Sequence, residues 1–146
     1  MKAAVSVFKN FVNKVEDKPL EKILNDIKIG TYKSEIEEIR NRIKEDKKEQ
    51  ADQLKKQLFA FTVSGTFNNG RSIEKVATYS QYVILDIDKL SVSQLEDIKN
   101  KTRIAPYTLA SFISPSGQGL KIIVKVNTTK EQHKEAYKQV VAYYEQ

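Results

Sequence analysis

The chain has 146 residues, 40% hydrophobic and 30% charged, a length that suits one domain with a buried core. With no Cys and a single His, it excludes a disulfide framework, a cysteine zinc site and multi-histidine metal chemistry within this chain. The net charge of +6 is concentrated: Lys99, Lys101, Arg103, Lys121, Lys125, Lys130, Lys134 and Lys138 face only Glu131 and Glu135 over residues 99–138, which favours an anionic partner such as nucleic acid or a nucleotide. No apolar run approaches the roughly 18–20 residues of a membrane span. MKAAVSVFKNFV lacks the long apolar core and cleavage site of a secretory peptide. The expectation is a cytoplasmic domain with no membrane partner.

In chain order, Ala3 to Phe8 alternates and predicts a first strand. Asp17 and Pro19 then predict a helix start, with Asp17 as cap. Leu20, Ile23, Leu24 and Ile27 form its apolar face and Gly30 its stop. Ser34 and Glu37 have capping-box spacing and open one long charged helix. Its stripe runs through Ile36, Ile39, Ile43, Leu54 and Leu58, and its polar centre, 45–50, projects into water or bends. LFAFTVSGTFNNGR has strand composition followed by turn formers.

Tyr82 to Asp88 is the strongest strand, apolar on both faces until Asp86, and predicts a central strand covered on both sides. Ser93 and Glu96 suggest a second capping box before a short helix carrying Leu95 and Ile98. Leu109–Ile113 and Leu120–Val126 are further strands, joined by Ser114-Pro115-Ser116-Gly117-Gln118-Gly119. Ala136, Tyr137, Val140, Val141 and Tyr144 stripe a terminal helix, where Tyr137 and Tyr144 are expected in the core. His133 is expected on the surface. The order predicts an α+β fold, a sheet with helices packed on it.

Two segments carry chemistry. In YVILDIDKL, Asp86 and Asp88 are two residues apart on a strand, so their carboxylates share a face at a backbone spacing of about 7 Å. Such a pair offers hard oxygen ligands to Mg²⁺ or Mn²⁺, or else ends the strand with Lys89 as a salt-bridge partner. In FISPSGQGLKIIVKV, Gly117 and Gly119 let backbone N–H groups turn toward an anion, and Lys121 opens the next strand within reach of the same phosphate. The same residues also suit an ordinary hairpin loop. Metal ligands followed by a phosphate cradle are the layout of a metal-dependent phosphoryl-transfer site.

These residues resemble a known family. The hydrophobic-Asp-hydrophobic-Asp strand is similar to the first motif of the archaeo-eukaryotic primase and primase–polymerase superfamily. VSVFKN at 5–10, IKIGTYKSEIEEIR at 27–40, FTVSGTF at 61–67, YVILDIDKL at 82–90 and FISPSGQGLKIIVKV at 112–126 resemble, in order, the VirE N-terminal domain of mobile elements in Bacteroides-type bacteria. The resemblance implies a single primase-like domain over residues 1–146, with a mostly antiparallel RRM-type sheet. It implies a possible helicase-type ATPase as partner or fused domain.

Carried over by residue, Asp86 and Asp88 are the metal ligands. The SPSGQGLK hairpin sits where the primase superfamily carries its second motif, so Ser116, Gly117 and Gly119 would form the nucleotide-phosphate loop, and Lys121 stands where that motif has histidine. Arg71 is a further phosphate contact. The implied function is nucleic-acid and nucleoside-triphosphate binding with Mg²⁺ or Mn²⁺, and nucleotidyl transfer if Asp86, Asp88 and Lys121 are catalytic. A carboxylate expected on a later strand has no counterpart after Val126, where Glu131, Glu135 and Glu145 fall on the terminal helix or its end. The expectation is a domain lacking its C-terminal strand region. The alternative is a catalytically inactive nucleic-acid-binding or partner-docking module of a mobile-element replication protein.

Overall fold

A computed structural model describes residues 3–146; Met1 and Lys2, the start of the segment read against a secretory peptide, lie outside them. The protein is a mixed α+β fold with antiparallel sheets and, among the described residues, five α-helices. Three strands form the sheet that carries the two motif segments. They are β6 (Tyr82–Ile87), β7 (Thr108–Ile113) and β8 (Leu120–Lys125), in the order β6-β8-β7. A second sheet has the order β2-β1-β3, from β1 (Ala4–Lys9), β2 (Asn13–Pro19) and β3 (Ala60–Thr62). A two-stranded ribbon pairs β4 (Gly65–Phe67) with β5 (Val76–Tyr79).

Alternation along β8 builds the core. Leu120, Ile122 and Val124 point to one face, where they meet Val83 and Leu85 of β6. That face is closed by Leu95 of helix α4 (Val92–Ile104) and by Ala136 and Val140 of helix α5 (His133–Tyr144). Ile123 points the other way, with Tyr82, into a second cluster holding Val5 and Val7 of β1 and Leu20 and Ile23 of helix α1 (Leu20–Ile29). Leu120, Ile122 and Ile123 are completely buried. The strand of Tyr82 is therefore covered on both faces, as its composition predicts, yet it is an edge strand and β8 is the central one. Burial acts along the stacking direction and hydrogen bonding within the sheet plane, so composition reports the first and not the second.

The β2-β1-β3 sheet is tied to the ribbon by one buried hydroxyl. Ser6 donates through Oγ to Asp17 Oδ1 at 2.7 Å and accepts from the Phe67 amide at 2.9 Å. Asp17 is thus a strand residue engaged with Ser6 and Lys14, not a helix cap; Pro19 precedes α1, and β2 is a strand the apolar pattern did not announce. Six of its seven residues are exposed, so no apolar alternation marks it.

The long charged helix is two helices, α2 (Lys33–Lys44) and α3 (Lys48–Gln57), packed against each other. Asp46 turns the chain with φ of 58°, and the Lys47 amide closes the turn on the Arg42 carbonyl at 2.8 Å. Packing buries Ile39 and Ala51 almost completely. Ser34 lies inside α2, whose cap position is Tyr32, so the proposed box with Glu37 is not formed. Likewise α4 begins two residues earlier than expected. Ser91, not Ser93, accepts from the Gln94 amide, and Gln94 answers as the box partner in place of Glu96. Tyr144 is half-buried and bonded to Thr108 at 2.6 Å, whereas Tyr137 is 44% exposed and outside the core. Among the described residues no helix is long and apolar enough to cross a membrane.

Candidate phosphate and metal site

The two motif segments meet at one end of the β6-β8-β7 sheet. Antiparallel register pairs Asp86 with Lys121 directly across β6 and β8, and Ile87 with Leu120. Directly opposed residues put their side chains within reach of each other, and Lys121 Nζ donates to Asp86 Oδ2 at 2.8 Å. Lys89, the other candidate partner for the aspartates, instead turns the chain with φ of 57°. Both carboxylates are exposed, Asp86 within β6 and Asp88 just beyond it. Lys121 is half-buried.

The loop from Ser114 to Gly119 closes as a turn: the Gly117 amide donates to the Ser114 carbonyl at 2.9 Å, and the Ser114 amide to the Gly119 carbonyl at 2.9 Å. Gly117 sits at φ of 79°, the left-handed region that favours glycine. Ser116 Oγ lies 3.1 Å from Ser114 Oγ and accepts from the Gln118 amide at 3.3 Å. Leu90 ties the aspartate segment to the loop, its amide donating to the Gln118 carbonyl at 2.8 Å. Gly119 packs tightly against the aspartate segment. A Cβ there would stand 2.8 Å from the Ile87 carbonyl oxygen, 3.0 Å from Ser114 Oγ and 3.1 Å from Asp88 Oδ1. Close backbone approach, not backbone freedom, is what this position requires.

The structure thus brings together Asp86, Asp88, Ser116, Gly117, Gly119 and Lys121. Arg71 stands apart. Its guanidinium lies 4.4 Å from the centre of the Phe8 ring and donates to the Phe11 carbonyl at 3.0 Å, bracing the β1–β2 hairpin. Arg40, which sequence reasoning missed, reaches the loop from α2, donating through Nε to Pro115 O at 3.3 Å and through Nη2 to Ser114 O at 3.1 Å. The available signal was its place four residues after Ile36, at the margin of the apolar stripe. Its partners, more than 70 positions on, left no mark in the sequence.

Arg40 and Lys121 also line a cavity of about 580 Å³ below the loop, walled by Phe61, Phe112 and Ile84. His133 is half-buried and shares a 2.9 Å hydrogen bond with the Tyr79 hydroxyl, away from these residues and not as a simple surface side chain.

The donor set suits a hard divalent cation. Mg²⁺ is commonly held by one or two carboxylates, with water and substrate phosphate completing its shell. Asp86 and Asp88 supply two such groups, one of them already sharing an oxygen with the Lys121 ammonium. Among the described residues no group of three or more His, Cys, Asp or Glu side chains could hold a metal.

Residues 53–146 match the model of one protein family, BT4734-like, N-terminal domain. The chain belongs to this family. The matched span runs from α3 to the end of the described chain and contains both motif segments, while Arg40 precedes it. No curated protein and no solved structure matches the chain.

Proposed function

We propose that this BT4734-like domain is a primase–polymerase-like module that binds nucleic acid and a nucleoside triphosphate with Mg²⁺ or Mn²⁺ in the cytoplasm. The reading takes its antiparallel core as an RRM-type sheet of the primase kind, akin to the VirE N-terminal domain. One observation carries it: the Asp86–Asp88 strand end, the Ser114–Gly119 turn and Lys121 converge at one sheet end, joined by the Leu90–Gln118 hydrogen bond. Asp86 and Asp88 are the metal ligands. Ser116, Gly117, Gly119 and Lys121 bind the triphosphate. The basic excess over residues 99–138 supplies the field for nucleic acid. A bound metal would neutralise phosphate charge and lower the pKa of an attacking hydroxyl. In nucleotidyl transfer that hydroxyl oxygen bonds to the α-phosphorus, the bond to the β-phosphate oxygen breaks, pyrophosphate leaves and the proton passes to solvent.

Calorimetric titration of Mn²⁺, with and without ATP, into wild type and Asp86→Ala/Asp88→Ala tests this. The expected result is metal-dependent ATP binding that the double variant loses. A folded wild type that binds neither metal nor nucleotide refutes it.

The Asp86–Lys121 ion pair favours a second reading. An aspartate already neutralised from within the fold can be retained without a metal. The domain would then be a catalytically inactive module, docking on nucleic acid or on a helicase-type ATPase of a mobile-element replication system. Strong metal binding separates the first reading from this one. Steep salt dependence of oligonucleotide affinity without metal binding would favour the second.

A further inference from the structure

A loop that receives an anion must present N–H groups and keep its carbonyl oxygens, the negative ends of the peptide dipoles, engaged elsewhere. The Ser114–Gly119 loop meets the second half of that requirement at four of its six carbonyls, two of them in an unusual way. The Gln118 carbonyl is held by the Leu90 amide at 2.8 Å and the Gly119 carbonyl by the Ser114 amide at 2.9 Å. The carbonyls of Ser114 and Pro115 are held by a side chain from another element, Arg40 of α2, at 3.1 and 3.3 Å. The Ser114 carbonyl also accepts from the Gly117 amide at 2.9 Å, but Pro115 has no N–H to offer and its carbonyl is held by Arg40, without which it would face an anion with its negative end. Arg40 also packs against the loop's left-handed residue. A Cβ on Gly117 would stand 3.1 Å from Arg40 Nε and 3.4 Å from its Cδ.

We propose that Arg40 is the positioning residue of the phosphate loop, capping the Ser114 and Pro115 carbonyls with one guanidinium and fixing a positive charge beside them. The inference rests on the reading of this loop as a phosphate site and extends it to the helical pair α2–α3, which holds the loop's shape through Arg40. The planar fork matters. Two N–H groups at fixed separation span two successive carbonyls, whereas a lysine ammonium is a point donor on a flexible stem. Half-buried at the margin of α2, Arg40 can be replaced without opening the α2–α3 core, which Ile39 and Ala51 form.

The test is calorimetric titration of metal-free tripolyphosphate into wild type, Arg40→Ala, Arg40→Lys and Lys121→Ala, with amide spectra of each ligand-free protein. Arg40→Ala is expected to weaken binding about tenfold or more, the scale of losing a charge-assisted hydrogen-bond pair. Arg40→Lys, though still cationic, is expected to weaken it roughly threefold or more and to shift the Gly117 and Gln118 amide resonances before any ligand is added. A role confined to stability would lower the unfolding midpoint and leave the affinity of the folded protein unchanged. Arg40→Lys binding within about twofold of wild type overturns the inference, whether or not Arg40→Ala folds. If only Lys121→Ala weakens binding, the inference falls and the phosphate-loop reading stands. If wild type does not bind tripolyphosphate, both fall.

Discussion

Replacing Gly119 with alanine tests how rigidly the two motif segments are held together. The added Cβ would sit 2.8 Å from the Ile87 carbonyl oxygen, against an ordinary contact of 3.4 Å or more, with Ser114 Oγ at 3.0 Å and Asp88 Oδ1 at 3.1 Å. Asp88 and Ser114 can turn aside, but the Ile87 carbonyl belongs to the backbone of a strand paired to β8. Relief therefore requires β6 and the start of β8 to part by roughly half an ångström, the kind of overpacking that costs about 1–3 kcal/mol. For a chain of 146 residues the melting midpoint should fall by about 3–10 °C. Asp88 and Leu90 follow Ile87 directly, so their amide resonances should move and Mn²⁺ affinity should drop with them. Urea denaturation and amide spectra of Gly119→Ala measure both effects. An unfolding free energy within about 0.5 kcal/mol of wild type, with Asp88 and Leu90 unmoved, would refute the reasoning. Gly117→Ala is the control: its φ of 79° makes alanine costly by about 1–2 kcal/mol, but the disturbance should stay in the Arg40–loop contact.

Two other substitutions probe the frame. Ser6→Ala removes the hydroxyl that joins Asp17 to the buried Phe67 amide, leaving that N–H unsatisfied, and should cost about 1–3 kcal/mol in urea denaturation. Burial lowers the His133 pKa below its usual value, so folding favours the neutral ring that bonds to Tyr79. With a depressed folded pKa, its contribution to stability is complete above about pH 6.5 and is lost as pH falls through the folded value. His133→Gln should flatten the acid side of the stability profile in that window; an unchanged profile would show that the ring's charge state does not couple to folding.

Much of this arrangement was legible because it is written locally. The apolar run from Tyr82 to Leu85 and the apolar strand after Gly119 specify burial through their own composition, and both are buried as expected. Asp86 and Lys121 are candidates in two separate segments, and register makes them cross-strand partners. Helix ends were less readable. Ser93–Glu96 and Ser34–Glu37 have the right spacing, but a cap forms only where the chain actually enters the helix, at Ser91 in one case and at Tyr32, without a side-chain bond, in the other. The strand β2 was hidden because six of its residues are exposed.

The sequence by itself determined an α+β chain with two apolar strand segments, a charge excess toward one end, and two motif segments of carboxylates and glycines. These follow from residue type and short spacing, which act within a few residues of themselves. Tertiary structure alone decided that β8 and not β6 is central, that the charged helix folds back on itself at Asp46, and that Arg71 serves the first hairpin. It also decided that Arg40 grips the Ser114–Pro115 carbonyls. Each of these depends on which distant surfaces come to lie against one another, and long-range packing, unlike local periodicity, leaves no fixed spacing in the chain to read.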